Sequence, residues 1–194
     1  MSPKPDTSHH LFDPKNIHRL ESKERKATQD PEIIIKLLDL KSNDIVADLG
    51  AGTGYFSIPI SSRVKLVYAI DIQQEMLDYL KQKIDPNKNS NIRLILSNDA
   101  NQVPLQSESV DFLLTVNTLH EFQDKDTMIT EIKRVLKPKG KTGIIDFKKV
   151  DTISGPPLSV RVSQLDAIKM FENNGFTSLS VHDLASNYLL LFQK

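Results

Sequence analysis

The chain has no cysteine, no excess of either charge, no long apolar run and only 7 glycines in 194 residues. Without cysteine there can be no disulfide, no thiolate nucleophile, no thiolate zinc cluster and no iron–sulfur ligation, and a reducing, cytoplasmic setting is expected. With 25 basic residues against 25 acidic ones, no footprint exists for a phosphate backbone, so nucleic acid is not the expected partner. No apolar run approaches the roughly 20 residues that cross a bilayer, and the first 30 residues carry no apolar signal core. An unexported protein with no membrane partner is expected.

The length suits one hydrophobic core, read here as an N-terminal extension over residues 1–30 and a folded domain over 31–194. Asp30-Pro31-Glu32 has the form of an N-cap, a first-turn proline and a first-turn acid, which predicts a short buried helix over 33–38. Residues 45–49 are apolar except for Asp48, as a central strand covered on both faces would be. Residues 65–70 repeat that pattern and end at Asp71. Ile72, Met76, Leu77, Leu80 and Ile84 then share one helical stripe.

A third strand is expected at 92–96, ending in Ser97-Asn98-Asp99, and a fourth at 110–116, ending at Asn117. Met128, Ile129, Ile132, Val135 and Leu136 form another helical stripe, stopped by Lys137-Pro138-Lys139-Gly140, and a fifth strand follows at 142–147. Strands separated by helices require crossovers, so these five form a doubly wound parallel sheet. The C-terminal end differs. Ser163 and Asp166 make a capping box for a helix whose apolar side is Leu165, Ile168 and Phe171, ended by Gly175. Strands at 177–181 and 188–192 leave no room for a crossover and are expected to pair as an antiparallel hairpin.

Three of the seven glycines alternate in Ile45-Val46-Ala47-Asp48-Leu49-Gly50-Ala51-Gly52-Thr53-Gly54. One reading is a strand running into a tight turn. The other is a ligand lying against bare backbone N–H groups at Gly50 and Gly52, with Gly54 letting the next helix pack closely. Ligands of open α/β sheets sit beyond the carboxyl ends of the strands. Asp71, about 20 residues beyond the glycines, suits the two hydroxyls of an adenosine ribose, and Asp99 the exocyclic amine of adenine. Together the acids on one edge point to an adenosine-containing ligand.

These residues carry a family resemblance. Asp48-Leu49-Gly50-Ala51-Gly52-Thr53-Gly54 resembles motif I of the class I S-adenosylmethionine-dependent methyltransferases. Ala69-Ile70-Asp71-Ile72 with Glu75-Met76-Leu77 resembles their second motif, and Ser97-Asn98-Asp99-Ala100 their third. Val110-Asp111-Phe112 with Asn117-Thr118-Leu119-His120 is similar to the segment after strand four, and Arg134-Val135-Leu136-Lys137-Pro138-Lys139-Gly140 to the turn into strand five. Among the branches, the small-molecule enzymes of ubiquinone and menaquinone biosynthesis are the most similar.

The resemblance implies an α/β, Rossmann-like, doubly wound seven-stranded sheet of order 3-2-1-4-5-7-6 with strand 7 antiparallel. It implies S-adenosylmethionine as cofactor and a small-molecule methyl acceptor. By position, Gly50, Ala51 and Gly52 would face its methionine and ribose, Asp48 its amino-acid end, Asp71 the ribose hydroxyls, Ile72 the adenine face, Asp99 and Ala100 the adenine edge, and Asn117 the region near the sulfonium. Such an extension as residues 1–30 often serves as a lid, and His10-Leu11-Phe12-Asp13-Pro14 is the segment expected to fold over the cofactor. No metal site is expected.

His120, just beyond strand four, has the pKa range of a general base for an acceptor that must lose a proton; orienting a loop is its plainer role. Glu121 reads as solvent-facing or as a contact for a cationic acceptor. Tyr55, at the expected start of the helix after the glycines, either closes over the cofactor or packs. Gly155-Pro156-Pro157, with Lys148, Lys149 and Arg161 nearby, either shapes the acceptor pocket or draws an anionic group. Two other functions stay open at this stage: an NAD(P)-dependent oxidoreductase, against which G-x-G-x-G differs from the dinucleotide spacing, and a non-catalytic S-adenosylmethionine-binding module.

Overall fold

A computed structural model describes residues 12–151 and 155–194. Its centre is one seven-stranded sheet of order β3-β2-β1-β4-β5-β7-β6, with β1 Ile45–Leu49, β2 Leu66–Asp71, β3 Ile92–Leu96, β4 Val110–Val116, β5 Leu136–Phe147, β6 Thr177–Asp183 and β7 Asn187–Gln193. β1 to β5 pair in parallel, whereas β7 runs antiparallel to both β5 and β6. The order expected from the resemblance, and the terminal hairpin expected from the short connection, are both present.

Side-chain alternation builds the three layers. Along β7, Tyr188, Leu190 and Phe192 enter one core while Leu189 and Leu191 enter the other. Helices α5 (Lys125–Val135) and α6 (Gln164–Asn173) cover the first face with Ile129, Ile132 and Phe171. Helices α2 (Pro31–Leu37), α3 (Ser57–Ser61) and α4 (Gln74–Lys83) cover the second with Ile34, Ile60 and Leu80. Each such side chain contributes roughly 1.5–3 kcal/mol by leaving water. The predicted caps are made: Asp30 accepts from the Glu32 amide at 2.8 Å, and Ser163 from the Asp166 amide at 3.1 Å.

Four local expectations need correction. Ile72 is not part of the α4 stripe, because the helix starts at Gln74 and Ile72 lies in the preceding turn. The helix after the glycines does not begin at Tyr55; residues 52–56 are turn, and α3 starts at Ser57. Lys137 to Gly140 does not separate α5 from the fifth strand. Leu136 already pairs with Val110, and Lys141 with Phe112, so the turn survives as a bulge inside β5 with Lys139 at φ 63°. In α6 Phe171 is buried and Ile168 packs against the core as expected, with Ala167 joining them, but Leu165 is 60% exposed.

The chain order reverses between β1 and β4, so their carboxyl ends open a crevice. Residues 12–29 lie across it as a 3-10 helix (Pro14–Glu21) and α1 (Lys23–Thr28), neither burying a residue in its own right. Polar clasps hold them. Gln73 Nε2 donates to the Phe12 carbonyl at 2.9 Å, Tyr55 Oη to the Gln29 carbonyl at 3.1 Å, and Lys83 bridges Glu21 and the Thr53 carbonyl. His10 and Leu11 lie outside the described residues.

Candidate functional site

The strand ends and the N-terminal segment enclose a cavity of about 760 Å³. Its walls include all ten residues expected from the sequence to bind the cofactor or act as base: Asp48, Gly50, Ala51, Gly52, Asp71, Ile72, Asp99, Ala100, Asn117 and His120. The volume lies within the range of small-molecule and cofactor sites.

The glycine loop owes its shape to its own hydrogen bonds. Gly50, Gly52 and Gly54 have φ of +77°, +54° and +76°, the left-handed region that only glycine adopts without strain. The amides of Gly50 and Ala51 donate to the Ile70 carbonyl at 2.9 and 3.0 Å, and that of Gly52 to Asp71 Oδ2 at 2.8 Å. The expected cradle of free N–H groups is therefore absent, because those donors already tie the loop to β2. The glycines also differ in what a side chain would meet. At Gly50 a Cβ would stand 2.4 Å from Thr118 Oγ1, and at Gly54 2.2 Å from Leu80 Cδ1. Gly54 thus accommodates α4 rather than the helix that follows it. At Gly52 a Cβ would come only as near as 3.6 Å to Leu20 Cδ1, so this glycine opens onto the cavity.

Two carboxylates flank the loop. Asp71 also accepts from the Gln73 amide at 2.9 Å, and burial pushes its pKa up against those two amide bonds. Asp48, 2% exposed, accepts from Ser57 Oγ at 2.5 Å; burial pushes its carboxyl up to about 6, with the Ser57 bond pulling the other way. Asp99 stands at the exposed rim, its Oδ1 bonded to the Asn101 amide at 2.8 Å. Ile72 presents an apolar surface, 38% exposed, to the same cavity.

Asn117 adopts φ 57°, and its side chain is engaged within the protein. Its amide pairs reciprocally with that of Gln29, at 3.1 and 3.2 Å, and its Oδ1 also accepts from Asn187 Nδ2 at 2.9 Å. Its side chain is a strut joining the N-terminal segment to β4 and β7, and not a free donor toward the cavity.

His120 is fixed by β5. Its Nδ1 lies 2.8 Å from Asp146 Oδ1, its amide donates to Asp146 Oδ2 at 2.9 Å, and Asp146 is fully buried. Glu121 does not face solvent. Its side chain is only 17% exposed, with Oε1 3.9 Å from His120 Nε2, and burial pushes its carboxyl up to about 7. Beyond them Phe147, Gly155, Pro156 and Pro157 line the cavity. Arg161, 5% exposed, holds that loop by donating to the carbonyls of Lys148, Val150 and Pro156 at 2.8–3.1 Å, and Lys148 pairs with Asp183. Both cations are structural struts here.

Arg25, Gln29, Ser57 and Asp146 belong to the site but do not stand out in the sequence. Asp146 has a signal, an acid at the end of an apolar strand, the same pattern by which Asp48 is found. Ser57 has none, and Arg25 and Gln29 sit in a charge-rich stretch that reads as solvated.

A family model described as a methyltransferase domain matches residues 47–144, about half of the chain. A solved structure of a SAM-dependent methyltransferase from Aquifex aeolicus superposes with a TM-score of 0.87 at 30% identity, covering 94% of this chain and 99% of that one. The demethylmenaquinone methyltransferase of Lactobacillus johnsonii is 36% identical over 115 residues, 57% of this chain and 47% of its own length. The ubiquinone/menaquinone biosynthesis C-methyltransferase of Rickettsia prowazekii is 31% identical over 126 residues, 61% and 50% respectively. The match spans about half the length of these curated relatives.

Proposed function

Because the chain belongs to the methyltransferase domain family, we propose that it transfers a methyl group from S-adenosylmethionine to a small-molecule acceptor, with residues 31–194 as the catalytic domain and the N-terminal segment as a lid. The carrying observation is that one cavity joins the open face of Gly52, the acids Asp48 and Asp71, and the fixed imidazole of His120. The residues fit the cofactor. A Cβ at Gly52 would intrude into that space, and the buried Thr53 Oγ1 has no hydrogen-bond partner among the described residues. Asp48 suits an ammonium, Asp71 a pair of hydroxyls, and Ile72 a flat base.

The bound cofactor supplies a methyl group on a positively charged sulfur, so displacement depends mostly on alignment, worth on the order of 7–11 kcal/mol in well-oriented cases. Residues 12–29 exclude water from the cavity. Asp146 holds the Nδ1 proton of His120, which leaves Nε2 as the basic atom, ready to take a proton from the acceptor. Glu121, near neutrality in its titration, stands beside Nε2 to pass that proton on. Phe147, Pro156 and Pro157 offer apolar walls, and the names of the quinone-pathway relatives support a flat, aromatic acceptor. Among the described residues no helix is long and apolar enough to cross a membrane, and the reading is of a cytoplasmic enzyme.

Neither alternative drawn from the sequence gains support. Asp48 beside the loop would oppose a pyrophosphate, and a binding module has no use for a histidine positioned by a buried carboxylate. Calorimetry with S-adenosylmethionine and S-adenosylhomocysteine, followed by a panel of aromatic acceptors scored for S-adenosylhomocysteine release, tests the proposal. Absence of binding by either nucleoside overturns it.

A further inference from the structure

Arg25 sits inside the cavity wall as a cation without a counter-ion. Its guanidinium carbon lies 4.2 Å from the Tyr55 ring centroid; Nε donates to Gln29 Oε1 at 3.1 Å and Nη1 to the Leu20 carbonyl at 2.9 Å. Among the described residues no carboxylate comes within ion-pair distance of it. Burial pushes its pKa down to about 10, which leaves it charged at neutral pH.

Asp48 is the complementary anomaly, a buried carboxylate held by the neutral hydroxyl and backbone amide of Ser57. Each residue feels the other's charge, yet they form no ion pair. Both line the same cavity. A buried charge such as that of Asp48 is ordinarily paired, since an isolated one forfeits its hydration for nothing, and the half-buried Arg25 has likewise given up part of its own. Two opposite charges held apart across a cavity fit a ligand that carries both signs on adjacent atoms, such as an α-amino-acid head group.

Resting on the reading of S-adenosylmethionine as cofactor, we infer that Arg25 binds the carboxylate of its methionine tail while Asp48 takes the ammonium. Guanidinium–carboxylate geometry favours this pairing. Arg25 belongs to α1, so the segment covering the cavity itself contributes a binding group. The cofactor completes the lid's charge balance, and the lid selects for the intact amino-acid tail.

The test compares S-adenosylhomocysteine with its decarboxylated counterpart, S-adenosyl-3-thiopropylamine, by calorimetry on the full chain and on Arg25→Met and Arg25→Lys. The wild type should prefer the carboxylated ligand at least tenfold. Arg25→Met should erase that preference by weakening S-adenosylhomocysteine alone, and Arg25→Lys should restore part of it. Equal weakening of both ligands, or none of either, overturns the inference and leaves Arg25 as a packing residue of the lid. If neither ligand binds the wild type, the cofactor reading itself falls, a result recognisable before any variant is made. Unchanged thermal melting of both variants is expected, since α1 buries no residue.

Discussion

His120 and Asp146 form one hydrogen-bonded unit, with the carboxylate taking both the ring Nδ1 and the backbone amide of the histidine at 2.8 and 2.9 Å. The same carboxylate also accepts from the Phe147 amide at 2.7 Å, so its position is set by the backbone of β5 itself. Asp146→Asn keeps only one of the two acceptor oxygens, so its NH2 group faces either the His120 amide or the Nδ1 and Phe147 donors, and the preference for a proton on Nδ1 is weakened. Turnover should fall at least tenfold, as should that of His120→Ala, while S-adenosylhomocysteine affinity stays within twofold. Nitrogen chemical shifts should show the Nδ1–H form in the wild type and a mixture in Asp146→Asn. A full-speed Asp146→Asn enzyme would return His120 to a loop-orienting role.

Two of the three loop glycines, Gly54 and Gly52, should fail differently when changed to alanine. In Gly54→Ala the new methyl meets the fully buried Leu80 at 2.2 Å on a backbone of φ +76°. Strain and overpacking together should cost about 2–4 kcal/mol, read as a lowered melting temperature. Gly52→Ala faces only the backbone strain, about 1 kcal/mol, and should fold nearly normally yet bind S-adenosylhomocysteine at least tenfold more weakly. Melting curves and calorimetry on the same samples separate the two. Normal binding by Gly52→Ala would show that nothing lies against that face of the loop.

Cofactor affinity should rise with pH across the titration of Asp48. In the empty site the carboxyl titrates near 6, and an ammonium favours its ionised form, so binding releases a proton below that pH. The dissociation constant of S-adenosylhomocysteine should tighten about tenfold between pH 5 and 7 and then level. Asp71, also raised by burial, adds in the same direction, so Asp48→Asn should flatten the slope without abolishing it. For the empty protein the sign reverses. The folded state holds the Asp48 proton more tightly than the unfolded chain, so this group's share of stability declines as pH rises from about 4 to about 6. A flat affinity profile in the wild type would remove Asp48 from the ligand's amino-acid end.

Much of this architecture is legible in the residues because it follows from local periodicity. Apolar runs separated by helical stripes demand a parallel sheet, and each acid or amide closing a strand falls on one edge for topological reasons. What the sequence hides is the division of labour on that edge. Asn117 looks like a ligand residue, but its amide is engaged by Gln29, 88 positions away. Asp146 looks like any strand-end acid until His120 is brought against it. Arg25 lies among exposed Lys23, Glu24 and Lys26 and is distinguished only by tertiary contact with Tyr55. Glu121 reads as solvated because nothing local reports the segment that covers it.

The N-terminal segment depends on one buried side chain, and that makes its role as a lid testable. Gln29 is 2% exposed. Its amide meets Asn117 in both directions, accepts from Arg25 Nε, and its carbonyl accepts from Tyr55 Oη. Gln29→Ala removes the side-chain bonds and leaves Asn117 Nδ2 and Arg25 Nε without that partner, at about 1–3 kcal/mol for a buried group. The 3-10 helix and α1 contribute no buried residue of their own, so this loss should be felt locally, with residues 14–28 opening more often and the sheet unaffected. Hydrogen exchange should quicken at least tenfold across 14–28 and stay unchanged in β1 and β4. S-adenosylhomocysteine should bind more weakly through a faster dissociation rate, since a covering segment slows escape more than entry. Faster exchange without faster dissociation would mean that residues 12–29 cover the cavity without retaining what it binds.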